Sequence, residues 1–286
     1  MTTDHTTLIS ADTLRTLLAS GTPVVLIDTS FDLADVAAGE RAWREGHLPG
    51  SLHMHLDRAL SGPKTGTNGR HPLPARNVFA ATLGHCGITP QTQVVAFDRQ
   101  GGMYAARLWW MLRWMGHSPA AVLDGGVAAW IASGGTLVTS GPGPGPAAAP
   151  PYHNRPPLAA TIEADALAAR LGRARLIDAR AGERFRGDVE PLDTTAGHIP
   201  GALNRFFKDN LDATSGRFKP AEQLRTEFAP LLGAAGAAAV VHQCGSGVTA
   251  CHNLLAMEHA GLTGSLLYAG SWSEWSADPA RPVARG

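Results

Sequence analysis

The chain has 286 residues, 44% of them hydrophobic and 17% charged, which is typical of a globular protein with room for two domains of ordinary size. Its 24 basic and 24 acidic residues balance, so its charge predicts neither a nucleic-acid partner nor an anionic membrane. No apolar run approaches the roughly 20 residues that cross a bilayer. The first residues lack the basic and hydrophobic segments of a secretory signal, so a cytoplasmic protein is expected.

The three cysteines, at positions 86, 244 and 251, form no Cys-x-x-Cys pair and no disulfide framework. No group of histidines, cysteines and acids has the spacing of metal ligands, so neither a metal nor another cofactor is predicted. A reducing compartment suits this chain, because a reactive thiol would stay usable there.

Short apolar segments alternate with helical segments along the first half. Ser10 is a predicted N-cap for a helix over residues 11–18, in which leucines recur at helical spacing. Residues 61–74 are rich in glycine, proline, asparagine and threonine, which predicts a loop. The other predicted elements are the strand Pro23–Asp28, the turn and short strand His47–Leu52, a helix over Val78–Leu83, the strand Gln93–Asp98, a helix over Met103–Met115 and the strand and turn Ala121–Gly126.

The second half repeats this order of segments. The box His198–Gly201 matches His47–Gly50, and a strand ending at Asp178 matches the strand ending at Asp28. The acid and the histidine are 19 residues apart in the first copy and 20 in the second. The remaining predicted elements of this half are a helix over Thr161–Leu171, the strand Ala238–Cys244, a helix over Ala250–His259 and the segment Leu266–Trp275. The shared order and spacing indicate a tandem duplication.

Two similar domains are therefore predicted, over residues 1–135 and 159–286. Residues 136–158 between them contain alternating proline and glycine, which cannot hold a helix or a central strand, so an extended linker is expected. Because strands alternate with helices, each domain is predicted to be an α/β fold with a mostly parallel sheet and helices on both faces. Ligands bind at the carboxyl ends of strands in such sheets, where Cys244 is placed.

Cys244 ends an apolar strand and is followed by the small-residue loop Gly245-Ser246-Gly247-Val248 and then Thr249. A loop between a strand and a helix directs several backbone N–H groups, and the positive end of the helix dipole, at one point. These dipoles favour the negatively charged form of a thiol. Cys244 is therefore predicted to be a partly ionised, reactive cysteine.

Three other kinds of site fit the loop less well. Gly245-x-Gly247-x-x-Ala250 matches the dinucleotide-binding fingerprint, but residues 265–271 lack the acid that should end the next strand. A cysteine phosphatase would carry an arginine at the position of Ala250 to bind phosphate. A buried, inert cysteine is the third alternative. The first copy has Asp98 at the position of Cys244, so a single thiol site is predicted.

The His-x-Pro-Gly boxes, the loop Cys244–Cys251 and the closing segment Gly270–Trp275 resemble the tandem-domain rhodanese superfamily. The resemblance covers about residues 9–276 and is greatest to the 3-mercaptopyruvate sulfurtransferases. Thiosulfate-using rhodaneses carry Arg-Lys after the cysteine, where this chain has Gly245 and Ser246. The resemblance implies two tandem rhodanese-like domains, of which the first is non-catalytic.

Site residues also follow from the resemblance. It implies that Cys244 accepts sulfur as a persulfide and that Arg184 contacts the carboxylate of the donor. Ser246 matches the loop serine of this branch, and Asp57 and His71 match an acid and a histidine that work with it. The loop residues implied in substrate binding are Gly245, Gly247, Val248 and Thr249.

The implied reaction moves sulfane sulfur from 3-mercaptopyruvate, which leaves as pyruvate, to a thiol or to cyanide. The acceptor is a small thiol or a thioredoxin-like protein. Family members usually carry a second substrate arginine where this chain has Leu192, so the donor stays open between 3-mercaptopyruvate and thiosulfate. A third alternative is a non-catalytic persulfide carrier, which would not release pyruvate over many turnovers.

Overall fold

The computed structural model describes residues 4–139 and 149–286, and these form two compact units. Residues 140–148, the proline- and glycine-rich part of the predicted linker, lie outside the described residues. The first unit comprises Met1–Ser61, Pro74–Leu158 and Ser215–Arg217, and the second comprises Gly62–Leu73, Ala159–Thr214 and Phe218–Gly286.

Each unit includes a short loop from the opposite half of the chain. The loop 62–73 comes from the first half of the chain but belongs to the second unit. Residues 215–217 come from the second half but belong to the first unit. The two loops correspond in the repeat, because each contains Thr-x-Gly-Arg, at Thr67–Arg70 and at Thr214–Arg217. The predicted domains, residues 1–135 and 159–286, instead assign each loop to the half of the chain from which it comes.

A five-stranded sheet forms the centre of the first unit. Its strands are β1 (Leu8–Ile9), β2 (Val24–Asp28), β3 (Leu52–His53), β4 (Gln93–Phe97) and β5 (Ala120–Leu123), and its helices are α1 (Ala11–Ala19), α2 (Ala38–Glu45), α3 (Leu56–Ala59), α4 (Arg76–His85), α5 (Ala105–Trp114) and α6 (Gly126–Ala132). The strands lie in the order β1-β5-β4-β2-β3, and each neighbouring pair is parallel.

The second unit has the same topology. Its strands are β6 (Ala160–Thr161), β7 (Arg175–Asp178), β8 (Ala202–Asn204), β9 (Val240–Gln243) and β10 (Leu266–Leu267), and its helices are α7 (Ala164–Ala168), α8 (Gly182–Arg186), α9 (Ala221–Leu232), α10 (Thr249–His259) and α11 (Ser271–Trp275). The strand order is β6-β10-β9-β7-β8, again parallel throughout. The predicted α/β fold with two similar parallel sheets is confirmed.

Most of the predicted elements form, with small shifts at their ends. The Ser10 hydroxyl accepts the N–H of Thr13 at 3.1 Å, which is the predicted N-cap of α1. The helix predicted over residues 161–171 was too long. Its first residue, Thr161, lies in the edge strand β6, which pairs with β10, and only Ala164–Ala168 is helical.

Side chains of alternate residues on the central strands point to opposite faces of each sheet, and helices pack against both faces. In the first unit, Leu26, Val95 and Phe97 pack with residues of α1 and α6 on one face, while α5 contacts β4 and β5. In the second unit, Val241 packs with Trp272 on one face. The neighbouring His242 faces α10, where its Nε2 lies 3.1 Å from the sulfur of Met257.

The acids that end β2 and β7 hold the turns that follow them. Asp28 accepts the N–H of Ser30 at 2.8 Å and pairs with Arg99 at 2.8 Å. Asp178 accepts the N–H of Arg180 at 2.9 Å and pairs with its guanidinium at 2.7 Å. These acids are thus part of the fold in both copies.

Among residues 4–139 and 149–286, no helix is long and apolar enough to cross a membrane.

We predict that His242 makes the second unit acid-sensitive. Burial lowers the pKa of His242 to about 3, whereas the unfolded chain titrates near 6.5. Stability is therefore full above pH 6.5 and falls as the pH drops, because only the unfolded state binds the proton. The expected slope is about 1.4 kcal/mol per pH unit between pH 6 and 4.

This slope is measurable by hydrogen exchange of peptides that cover β9 and α10, at a series of pH values, in the wild-type protein and in His242→Gln. The variant has no titrating group at this position. Parallel pH profiles for the two proteins would contradict the prediction.

Candidate functional site

Cys244 lies in the second unit, between the end of β9 and the start of α10, at the carboxyl edge of the sheet. Its residue is only 2% exposed. The carbonyl of Cys244 accepts the N–H of Trp272 at 3.0 Å, and that of Gly245 accepts the N–H of Ser273 at 2.9 Å. The closing segment of the unit thus holds the backbone of the cysteine loop.

Ser271 makes the third contact of this segment with the loop. Its hydroxyl accepts the N–H of Cys244 at 3.1 Å and donates to the carbonyl of Tyr268 at 2.9 Å. Its φ of 54° is the only positive value for a non-glycine among the described residues. A side chain is strained in this conformation, and such strain persists where surrounding contacts require it. Sequence reasoning quoted Ser271 only as part of a family motif and missed this function.

The loop requires a glycine at position 247. Gly247 has a φ of 76°, and an added Cβ would lie 2.3 Å from the carbonyl oxygen of Ala269. The buried Val248 follows, and Thr249 begins α10. In the first turn of α10, the N–H of Cys251 donates to the carbonyl of Val248 at 3.1 Å. The preceding N–H groups of a first turn have no acceptor within the helix, so they can interact with a negatively charged group beside the loop.

The first unit shows what a loop at this position can bind. The carboxylate of Asp98 is buried after β4 and accepts four backbone N–H groups at 2.8 to 2.9 Å. The donors are Gln100, Gly102, Tyr104 and Ala105. The corresponding loop of the first copy is thus occupied by its own anion, and Cys244 takes that place in the second copy.

His71 and Ser246 are brought together in the second unit. His71 Nδ1 lies 2.7 Å from the Ser246 hydroxyl, and both residues are buried. The pair is 175 positions apart in the chain, and it meets because the loop 62–73 belongs to this unit. A serine that is hydrogen-bonded to an imidazole, two residues from a cysteine, can pass a proton to or from a group bound at that cysteine.

The loop that carries His71 is held by glycine and backbone contacts. An added Cβ on Gly69, whose φ is 82°, would lie 2.8 Å from the carbonyl oxygen of Gly270. The N–H of Arg70 donates to the hydroxyl of Ser273 at 2.9 Å. The N–H of Gly62 donates to the carbonyl of Pro72 at 2.8 Å and closes the loop. The loop therefore rests on the segment that also holds the cysteine.

Two guanidinium groups flank Gly245. An added Cβ on Gly245 would lie 3.0 Å from Nη2 of Arg70 and 3.5 and 3.7 Å from the two terminal nitrogens of Arg184. Arg184 comes from α8, and its Nη2 donates to Glu190 at 2.6 Å. Two cations beside the residue that follows Cys244 make this region suitable for an anionic ligand. The sequence predicted Arg184 and missed Arg70.

Asp193 links the two arginines. Its Oδ1 accepts from Nη1 of Arg70 at 2.7 Å, and its Oδ2 lies 3.5 Å from Nη2 of Arg184. Burial raises the pKa of Asp193, and the charge of Arg70 opposes this change. Asp193 carries no motif in the sequence, so only its position in the fold assigns it to the site.

Asp57 and Leu192 are the other two residues that the sequence analysis discussed. Asp57 is in the first unit, in α3, where its N–H donates to Nδ1 of His55 at 3.1 Å; its role with Ser246 and His71 stays a prediction. Leu192 is 44% exposed, and its N–H donates to Glu190 at 3.1 Å.

In the described part of the chain, the cysteines at 86, 244 and 251 form no disulfide. Cys251 donates to the carbonyl of Gly247 at 3.3 Å, and burial raises the pKa of Cys86 to about 11. In the part of the chain that the structure describes, no group of three or more histidine, cysteine or acidic residues could hold a metal ion.

Comparison with known proteins gives matches along nearly the whole chain. The rhodanese-like domain family matches residues 10–133 and 163–278. A protein of Pseudomonas aeruginosa named as a probable 3-mercaptopyruvate sulfurtransferase is 45% identical over 285 residues, which cover 98% of each chain. A Mycobacterium tuberculosis protein provisionally named a thiosulfate sulfurtransferase is 38% identical over 279 residues, 98% of this chain and 97% of that protein.

A solved structure has a closely similar fold. The 3-mercaptopyruvate sulfurtransferase from Leishmania major aligns with a TM-score of 0.84 at 28% sequence identity. The alignment covers 95% of this chain and 74% of that one.

We predict that Gly247→Ala distorts the cysteine loop. Alanine at this φ is strained, and its methyl group would collide with the carbonyl of Ala269, so a loss of about 2 kcal/mol or more is expected. Gly172→Ala is the matched control, because Gly172 has a φ of 75° and no atom within 4 Å of an added Cβ. Thermal unfolding and hydrogen exchange of the loop peptide measure the difference, and equal losses in both variants would count against the collision.

Proposed function

Because the chain belongs to the rhodanese-like domain family, we propose that it moves sulfur from 3-mercaptopyruvate to a thiol through a persulfide on Cys244. It is a sulfur-transferring enzyme, as the named relatives at up to 45% identity over nearly their full length support. The observation that carries the assignment of the site is the position of Cys244 in a loop beside two guanidinium groups and a hydrogen-bonded serine and histidine.

In the first half-reaction the thiolate of Cys244 attacks the sulfur of the donor. The carbon–sulfur bond breaks, its electron pair stays on the carbon, and pyruvate leaves as its enolate. Ser246 delivers a proton to that carbon and regains one from His71, so the product is pyruvate. The carboxylate of the donor is held by Arg184, which keeps the attacked sulfur close to Cys244.

The second half-reaction removes the sulfur. The outer sulfur of the persulfide lies beside the N–H groups of the loop Gly245–Thr249, which stabilise negative charge without rearrangement. A thiolate attacks this outer sulfur, the sulfur–sulfur bond to Cys244 breaks, and the enzyme thiolate returns. Two half-reactions that share a covalent intermediate give ping-pong kinetics.

A thiol acceptor could be a small molecule or the exposed thiol of a thioredoxin-like protein. We propose the latter as the physiological class, because its thiol is kept reduced between turnovers. Cysteines that form no disulfide among the described residues suit a reducing compartment such as the cytoplasm, where Cys244 would stay available for the next cycle.

Thiosulfate is the second candidate donor. The provisional name of the Mycobacterium tuberculosis relative favours it, and two guanidinium groups also suit a sulfur oxyanion. The uncharged Gly245 and Ser246 favour the carboxylate donor, because family members that use thiosulfate have cations there. Steady-state kcat/KM values with each donor and the same thiol acceptor decide between them. A higher value for thiosulfate would make thiosulfate, and not 3-mercaptopyruvate, the preferred donor.

We predict that Cys244→Ser abolishes turnover, because a serine hydroxyl cannot form a persulfide. Donor-dependent pyruvate release should fall to background, and intact mass should show no added sulfur atom after exposure to the donor. Cys86→Ser is the control and should keep both properties. Persistent turnover in Cys244→Ser would remove Cys244 from the mechanism.

We predict that Arg184→Ala mainly weakens donor binding. Loss of a charge-assisted contact to a carboxylate should raise KM about 10- to 100-fold and change kcat much less. Arg186→Ala, on the same helix, removes an exposed arginine that pairs with Asp188 and should leave KM unchanged. A loss confined to kcat would instead give Arg184 a role in the chemical steps.

A further inference from the structure

The first unit contains an open pocket that the proposed reaction does not use. The pocket is lined by residues of α2, the edge strand β3, α3 and α4, and its volume is about 510 Å³. Its aromatic and charged lining residues all belong to the first unit and are Glu40, Trp43, Arg44, His53, His55 and Arg58. A pocket of this volume can hold a small organic molecule.

Three of the lining residues supply planar rings. His53 lies between the other two, because its ring centroid is 6.4 Å from that of Trp43 and 6.4 Å from that of His55. Trp43 and His55 are buried, and His53 is half-buried. Rings in this arrangement offer faces and edges to a further aromatic ring.

The rings are held in place by contacts outside the pocket. Nε1 of Trp43 donates to the hydroxyl of Ser51 at 3.2 Å, and the indole stacks on His47 with centroids 4.2 Å apart. Nε2 of His53 lies 3.1 Å from the carbonyl oxygen of Ser30. A ligand would therefore meet rings that are already ordered, which lowers the entropic cost of binding.

His55 contributes a neutral ring. Its Nδ1 accepts the N–H of Asp57 at 3.1 Å, so the proton is on Nε2, which donates to the carbonyl of Val36 at 3.0 Å. Burial lowers the pKa of His55, and the charge of Arg58 acts in the same direction. At neutral pH this side chain thus presents aromatic surface and no charge.

The charge of the pocket comes from two arginines and one acid. Nη2 of Arg44 donates to Glu40 at 2.6 Å, and Nη2 of Arg58 donates to the other oxygen of the same carboxylate. The hydrogen bond from Arg58 holds the pKa of Glu40 below its usual range, so Glu40 is ionised at neutral pH. One negative charge opposes two positive ones, which leaves one positive charge in excess.

The two arginines have donors to spare. The bonds to Glu40 use one nitrogen of each guanidinium, which carries five N–H donors. The side chains of Arg44 and Arg58 are 70% and 64% exposed, so their other donors can reach a ligand in the open pocket. Guanidinium groups bind carboxylates through two parallel hydrogen bonds, and a single excess charge matches a monoanion.

We propose that this pocket of the first unit is a binding site for a small aromatic carboxylate, whose ring contacts Trp43 and His53 and whose carboxylate binds Arg44 and Arg58. The proposal gives a binding role to the unit that has Asp98 at the position of the cysteine. It does not depend on the identity of the sulfur donor.

The alternative is a cleft that holds only solvent and is bridged by ordinary surface ion pairs. Exposed ion pairs contribute little to stability and need no ligand. The two interpretations differ in one property, since only a binding site discriminates between molecules by both their ring and their charge.

Three probes of nearly equal size test this discrimination. Naphthalene-2-carboxylate has the ring and the charge, naphthalene-2-carboxamide lacks the charge, and decahydronaphthalene-2-carboxylate lacks the aromatic ring. Titrations followed by NMR of the probe give the dissociation constants. The first probe should bind about threefold to tenfold more tightly than each of the others. Equal affinities, or no binding of the first probe, would overturn the proposal.

Variants of the charged residues test the contacts. Arg44→Ala and Arg58→Ala should each weaken binding of naphthalene-2-carboxylate about threefold to tenfold, as expected for a partly exposed charge-assisted contact. Glu40→Gln removes the opposing charge and should strengthen binding. Arg41→Ala is the matched control, because Arg41 is an exposed arginine of the same helix that pairs with Asp35.

The outcomes of these variants are decisive in both directions. Unchanged affinity in Arg44→Ala and Arg58→Ala, or an equal loss in Arg41→Ala, would overturn the proposal. Weaker binding in Glu40→Gln would overturn the argument from the balance of charges.

Hydrogen exchange locates the bound probe, because a carboxylate could also bind beside Arg184 in the second unit. Naphthalene-2-carboxylate should slow exchange in peptides that cover residues 38–59. Protection confined to peptides of the cysteine loop would place the probe at the other site and overturn the proposal. These measurements need no sulfur donor, so a failure of the proposed function would leave their outcome unaffected.

Discussion

The site depends on the hydrogen bonds between the segment Ser271–Ser273 and the backbone of the cysteine loop. Ser271 accepts the N–H of Cys244, and the next two residues donate to the carbonyls of Cys244 and Gly245. These contacts hold the backbone of Cys244 and Gly245 against the closing segment. Ser271 has its positive φ of 54° within the segment that makes these contacts, and such strain persists where surrounding contacts require it.

The two copies of the repeat carry different residues at the start of the same loop, Asp98 in the first unit and Cys244 in the second. In the first unit the side chain of Asp98 accepts four backbone N–H groups, so these donors already have an acceptor. In the second unit Cys244 occupies the strand end, and in the proposed function the bound charge is that of the thiolate, the persulfide or the substrate. The N–H groups of the first loop thus bind Asp98, whereas the proposed function uses those of the second loop in the reaction.

The exchange of loops between the halves of the chain supplies the remaining groups. The loop 62–73 belongs to the second unit and brings His71 to Ser246 and Arg70 to Gly245. Contacts of Gly69 and Arg70 with the closing segment fix this loop on the same residues that hold the cysteine. In the proposed function, the groups that transfer the proton, bind the donor and attack its sulfur therefore rest on one supporting segment.

The sequence by itself determined the repeat, the parallel α/β sheets and the position of Cys244 after a buried strand, because hydrophobic periodicity and small-residue loops are local properties. It could not determine that residues 62–73 belong to the second unit, that Arg70 and Asp193 lie beside Gly245, or that β6 replaces the start of a predicted helix. Only the tertiary structure decided these points, since each depends on contacts between segments distant in the chain, which no local pattern encodes.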